Sequence, residues 1–228
     1  MTYELIKNLK NLRNYIRTVK SGNIDFIKNT TIASNRGVLV NKYLETSEPN
    51  IYAIGDCAEQ QEPLENRRAI EAIWYTGRMM GETVAQTLTG EKTAYHPGHW
   101  FNSAKFFDIE YQTYGVVSAH PQEPEIHFHW EDLEKEIAVT IAFHKDSNLF
   151  LGINTFGIRM RHEIFNQMLN NESTVFHVME HLGDCNFDSE FFKSYEKEIL
   201  SKFNQDYNKE IKLKKKSWTR IFNSKIAK

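Results

Sequence analysis

The sequence predicts an α/β segment followed by an α+β domain, the second built on an antiparallel sheet with helices. Three observations predict this. A short apolar run at 51–54, closed by turn residues, precedes a helical pattern at 74–88, as in a strand–helix unit. After His96-Pro97-Gly98 the periodicity changes, and four strand-like segments follow, joined by polar turns. From residue 158 to about 206 helical spacing returns. The expected divisions are an N-terminal helix at 1–22, an α/β segment at 23–92, an α+β domain at 93–208 and a basic tail at 209–228.

Each element has its own reason. Leu5, Leu9, Leu12 and Ile16 recur at helical spacing, and Ser21-Gly22-Asn23 then interrupts the pattern. Val38-Leu39-Val40 is a β-branched run after Arg36-Gly37 and reads as a strand. Thr46-Ser47-Glu48-Pro49-Asn50 is a turn in which proline fixes φ. It feeds Ile51-Tyr52-Ala53-Ile54, whose continuous apolar character predicts a buried strand of the parallel type, ended by Gly55-Asp56. Met79, Met80, Val84 and Leu88 give the next helix its apolar positions, and Gly90 ends it. The expected strands of the second domain span 107–117, 125–130, 136–144 and 148–157, with Asp146-Ser147-Asn148 turning the last pair. The tail, with Lys212, Lys214, Lys215 and Lys216, reads as a solvated helix end or extension.

Composition narrows the function classes. The 228 residues are 40% hydrophobic, 25% charged and 13% aromatic, an ordinary balance for a folded domain with material for a dense core. A net charge of -2 argues against nucleic acid or an anionic membrane as the main partner. No apolar run approaches the roughly 20 residues of a membrane helix. The first 20 residues are basic and lack the apolar stretch and cleavage site of a secretory signal, so the expected location is the cytoplasm. Cys57 and Cys185 are too distant in sequence for a local CxxC motif and read as structural thiols.

The informative stretch runs from Thr46 to Asp56: a Thr, a short turn, four apolar residues, then Gly-Asp. It resembles the second flavin-binding motif of the pyridine-nucleotide-disulfide oxidoreductase superfamily. The preceding Asn35-Arg36-Gly37-Val38-Leu39-Val40-Asn41 is similar to that family's lead-in, and Asp56-Cys57-Ala58-Glu59 continues as in its nitrite-reductase and rubredoxin-reductase-like branch. The resemblance covers roughly residues 23–160. Gly55 lacks a Cβ, which lets backbone approach a cofactor closely. Asp56 offers a carboxylate that accepts strong hydrogen bonds. The resemblance implies that Asp56 takes a ribityl hydroxyl of FAD. It also implies that the helix start at Trp74-Tyr75-Thr76 points at the pyrimidine edge of the isoalloxazine ring, where N–H donors and the helix dipole favour negative charge. Without the family, an Asp capping a turn and two core aromatics remain open readings.

By resemblance the parent enzyme is an FAD-dependent NAD(P)H oxidoreductase, taking electrons from NADH or NADPH and passing them to an acceptor that the sequence does not specify. The residues assigned to the cofactor are Gly55, Asp56, Trp74, Tyr75 and Thr76, with no metal ligand and no catalytic acid or base. No G-x-G-x-x-G turn for a pyrophosphate occurs in the 228 residues. The chain is therefore expected to be inactive alone and to need a partner, either a second copy in a homodimer or a chain supplying the missing FAD- and NAD-binding half. Two non-enzymatic alternatives stand beside this, an interface or dimerisation module and a truncated remnant.

Other patterns carry less. Trp100 to Phe107 echoes the start of the interface domain in ferredoxin-reductase-like relatives, with Asn102 where they carry Trp and with Lys105 nearby. His177 and His181 share a helix face at a spacing able to hold a metal, but the sequence shows no third ligand. His127 and His129 alternate along one strand face, and Glu131, Asp132, Glu134 and Glu136 read as a solvated acidic turn.

Overall fold

In a computed structural model of the chain, the structure describes residues 22–64, 66–106, 108–187 and 194–214. These fall into two units, the first ending at Gly98 and the second beginning at His99. The expected N-terminal helix and the tail beyond residue 214 lie outside the described residues. Residues 209–214 have no regular structure, and Ile211 and Leu213 are tucked against the second unit's core rather than solvated.

In the first unit β1 (Val38–Val40) pairs in parallel with β2 (Ala58–Gln60), Val38 opposite Ala58. Helix α1 (Trp74–Leu88) lays Met80 and Val84 into a small core with Val40, Leu44, Ala58 and Tyr95. It ends at Gly90, whose φ of 105° suits a residue without Cβ.

The run at 51–54 is not a strand, contrary to expectation. It touches the preceding chain through a single bridge, Glu45 to Tyr52, and sends the Ala53 N–H to the Leu44 carbonyl at 3.1 Å. Tyr52 and Ala53 face the core, whereas Ile51 and Ile54 are exposed. The apolar run misled because a strand is defined by its ladder partners, and here β2 takes the place beside β1.

The second unit is a five-stranded antiparallel sheet in the order β3-β4-β7-β6-β5: β3 (Phe101–Phe106), β4 (Ile109–Gly115), β5 (Glu125–Asp132), β6 (Ile137–His144) and β7 (Phe150–Phe156). Strand β3 falls before the first strand expected from the sequence, at 107–117. The hairpin at Asp146-Ser147-Asn148 forms, with Asn148 at a φ of 57°. Alternate residues Val139, Ile141 and Phe143 of β6 point to one face, as a half-covered antiparallel sheet requires. That face packs against α2 (His162–Asn170), α3 (Val175–Glu180), α4 (Leu182–Cys185) and α5 (Glu196–Tyr207), which contribute Phe165, Met179, Leu182 and Phe203. Gly115 faces Gly152 across β4 and β7; at a φ of 69°, a Cβ on Gly115 would lie 2.2 Å from the Leu151 carbonyl oxygen. No described helix is long and apolar enough to cross a membrane.

Candidate functional site

The loop before Gly55 is held from within. The Thr46 N–H donates to the Ile51 carbonyl at 2.9 Å, and the Thr46 hydroxyl accepts the Glu48 N–H at 3.2 Å, closing the turn around Pro49. Upstream, the Asn41 side-chain oxygen accepts the Tyr43 and Glu45 amides. Its amide group donates to the Glu45 carboxylate, which also receives Lys92; those two bonds hold the Glu45 carboxyl below its usual range.

The turn that follows carries the predicted residues. Gly55–Cys57 is one 3₁₀ turn with Gly55 at a φ of 73°, and a Cβ there would meet nothing within 4 Å. The backbone shape, rather than a close neighbour, demands glycine here, and the space beside it is open. The Asp56 carboxylate is exposed and accepts no hydrogen bond among the described residues. Cys57 is half-buried with its thiol directed at the Ile54 carbonyl.

Helix α1 starts beside this turn. The Gly55 N–H lies 3.3 Å from Met80 Sδ, and a Cβ on Gly77 would meet Gly55 Cα at 3.5 Å. No side chain caps the helix, and the Gly77 amide is the first to bond back, to the Ile73 carbonyl at 3.1 Å. The first-turn amides therefore precede the helical ladder, the end at which anions are stabilised. Trp74 is 68% exposed, edge-on to Tyr75 with ring centroids 5.2 Å apart. Thr76 differs: it is buried, and its hydroxyl donates to Glu71 at 3.4 Å. The fold thus brings Gly55, Asp56 and the start of α1 together, with Thr76 turned into the unit.

Two buried carboxylates without an expected role, Glu59 and Glu71, shape this region. Glu59 accepts the Arg36 and Gly37 amides at 2.8 and 2.7 Å and the Asn35 side-chain amide at 3.0 Å, tying the segment before β1 to β2. Glu71 receives a two-pronged bond from Arg67, at 2.6 and 2.5 Å, with both side chains almost fully buried. Tyr95, close to that pair, has its phenol pushed up to about 12 by burial and by the Glu71 charge. The only advance signal for Glu71 was its spacing four residues after Arg67.

The remaining sequence candidates have local partners. Asn102 donates to the Tyr111 hydroxyl at 2.9 Å, and Lys105 is exposed. His127 pairs with Glu125 at 2.6 Å, and His129 lies 2.9 Å from the Thr140 hydroxyl. Asp132 of the acidic turn is bound by Lys135. Burial pushes the Cys185 thiol far above its usual range, as suits a structural cysteine.

Residues 21–85 match the family model described as pyridine nucleotide-disulphide oxidoreductase. The match includes β1, the Gly55–Asp56 turn and most of α1. NADH-rubredoxin oxidoreductase of Clostridium acetobutylicum is 65% identical over 37 residues, which is 16% of this chain and 10% of that protein. Rubredoxin-NAD(+) reductase of Acinetobacter baylyi is 40% identical over 76 residues, 32% of this chain and 17% of that one. Among solved structures, a NAD-dependent persulfide reductase from A. fulgidus has the same fold over 82% of this chain and 38% of its own, at a TM-score of 0.61 and 15% identity. The shared stretch is a small share of the length of each relative. The fold class expected from sequence, an α/β segment followed by an antiparallel sheet with helices, agrees with that neighbour.

Proposed function

We propose that the chain is the C-terminal portion of an FAD-dependent NAD(P)H oxidoreductase, and that its first unit forms one wall of the flavin site. Supporting this is the conjunction of Gly55 at positive φ beside open space, an Asp56 carboxylate with no described partner, and an uncapped helix start packed against the same turn. These residues fit the group. Flavin, when bound, supplies two-electron chemistry between a nicotinamide and an acceptor. The chain's own part is to bind and orient: Asp56 accepts a ribityl hydroxyl, Gly55 keeps the approach clear, and the amides at the start of α1 offer positive potential to the ring edge. Trp74 and Tyr75 supply aromatic surface there. Thr76 acts indirectly, fixing the helix start through Glu71.

The pyrophosphate and nicotinamide sites come, on this reading, from sequence outside these 228 residues or from a partner chain. Exposed Phe26, Ile51, Ile54 and Trp74 in the first unit offer apolar surface to such a partner. The same surface also favours an interface role without catalysis, as a second reading. Asp56→Ala distinguishes them in flavin titrations of the chain assembled with a Gly-rich dinucleotide-binding half from a relative. Loss of one charge-assisted hydrogen bond, roughly 1.5–3 kcal/mol, should weaken FAD at least about tenfold. Unchanged affinity would remove Asp56 from the site and leave only the interface reading.

A further inference from the structure

The pair His177 and His181 lacked a third ligand in the sequence, and the fold provides one. Helix α3 is only six residues long, capped by the Thr174 hydroxyl, which accepts the His177 amide at 3.3 Å. Its inner face is anchored by Val175, Val178 and Met179, all fully buried, with Leu182 continuing into α4. This leaves His177 and Glu180 outside and His181 at the corner between the two helices. One ligand atom from each of the three lies within 4.8 Å of the others, and the two imidazole centroids are 4.1 Å apart. From these residues we propose a site for a borderline divalent cation of the Zn²⁺ type, held by His177, Glu180 and His181 at the α3–α4 corner.

Tautomer chemistry supports it. The Nδ1 of His181 lies 2.9 Å from the His177 carbonyl oxygen, which can only accept, so Nδ1 carries the proton. The lone pair is then on Nε2, which bonds nothing among the described residues. An outer hydrogen bond of this kind, fixing ring and tautomer, is what metal-bound histidines regularly have. The backbone of the corner is pinned as well. The Lys214 amide donates to the Glu180 carbonyl at 2.7 Å, and the Asp184 amide to the His181 carbonyl at 2.9 Å.

The donor set selects the class of ion. Two imidazoles and one carboxylate suit Zn²⁺ and its neighbours rather than Ca²⁺ or Mg²⁺, which prefer oxygen alone. Three protein ligands leave a tetrahedral position for water. Metal arms of roughly 2.0–2.2 Å need donors closer together than 4.8 Å. Rotation of the exposed His177 and Glu180 side chains about the fixed His181 closes that gap. The site is independent of the flavin reading.

Titration calorimetry of ZnCl₂ into the full chain tests the site, with the visible spectrum of the Co²⁺-loaded chain as a second readout. The expected result is saturable uptake of one equivalent and a tetrahedral Co²⁺ spectrum. His177→Ala should weaken binding at least about tenfold and Glu180→Gln by less. Both residues are exposed, so neither variant should disturb folding, which circular dichroism checks. Absence of saturable uptake, or uptake that His177→Ala leaves unchanged, overturns the proposal.

Discussion

Among the described residues, twenty-two buried apolar side chains form one cluster beneath the five-stranded sheet of the second unit. The first unit gathers six around Leu44 and leaves Phe26, Ile51, Ile54, Leu64, Trp74 and Leu88 exposed. Its sheet is two short strands, while the second unit's strands run to eight residues. The two units draw their order from different sources. Burial of apolar surface stabilises by roughly 25 cal/mol per Å², so the larger cluster contributes more to the second unit's stability. The first has a smaller core and polar ties such as the Glu59 carboxylate, which accepts three hydrogen bonds. A cofactor wall in a larger flavin domain would have this character, with functional residues on a thin scaffold.

The largest expected effects break the second unit alone. Phe203 is fully buried, edge-on to Phe128 and tilted against Tyr207 at centroid distances of 5.1 and 4.6 Å. Phe203→Ala should cost roughly 3–5 kcal/mol in urea unfolding, with hydrogen exchange in the first unit unchanged. A smaller cost falls on the first unit. Glu59→Ala strands the Arg36 and Gly37 amides, and should lower stability by roughly 2–3 kcal/mol. Hydrogen exchange at those two amides should accelerate while β6 stays protected. If Glu59→Ala instead exposed β6, the two units would be unfolding as one.

The smallest effect sharpens the contrast between two glycines. Gly55 and Gly115 have nearly the same φ, 73° and 69°. At Gly115 a Cβ collides with the Leu151 carbonyl, whereas at Gly55 it finds open space. Gly115→Ala should therefore approach the Phe203→Ala loss, and Gly55→Ala should cost only about 1 kcal/mol of backbone strain. Equal costs, read from paired denaturation midpoints, would mean the space beside Gly55 is not open.

Much of this was legible in the sequence where local chemistry decides the outcome. The helix from Trp74 follows from its periodicity and from Gly90, and the hairpin at Asn148 from a residue that tolerates positive φ. The Gly55–Asp56 turn was legible because a whole run of residues stands in the family's register. Pairing across distance was not legible. Nothing in Phe101-Asn102-Ser103-Ala104-Lys105-Phe106 alternates clearly, and β3 exists because β4 lies antiparallel to it. Ile51 to Ile54 has the composition of a buried strand and lacks a ladder. Glu59 gave no sign because its three donors lie 22 to 24 residues upstream.

We propose that the first unit is one wall of a flavin site whose other walls lie elsewhere. FAD titration of the purified chain, alone and then with a Gly-rich dinucleotide-binding half added, followed by flavin fluorescence, tests it most directly. The expected result is no tight binding by the chain alone and stoichiometric binding once the other half is present. Tight binding by the chain alone, or none in the assembled pair, would contradict it.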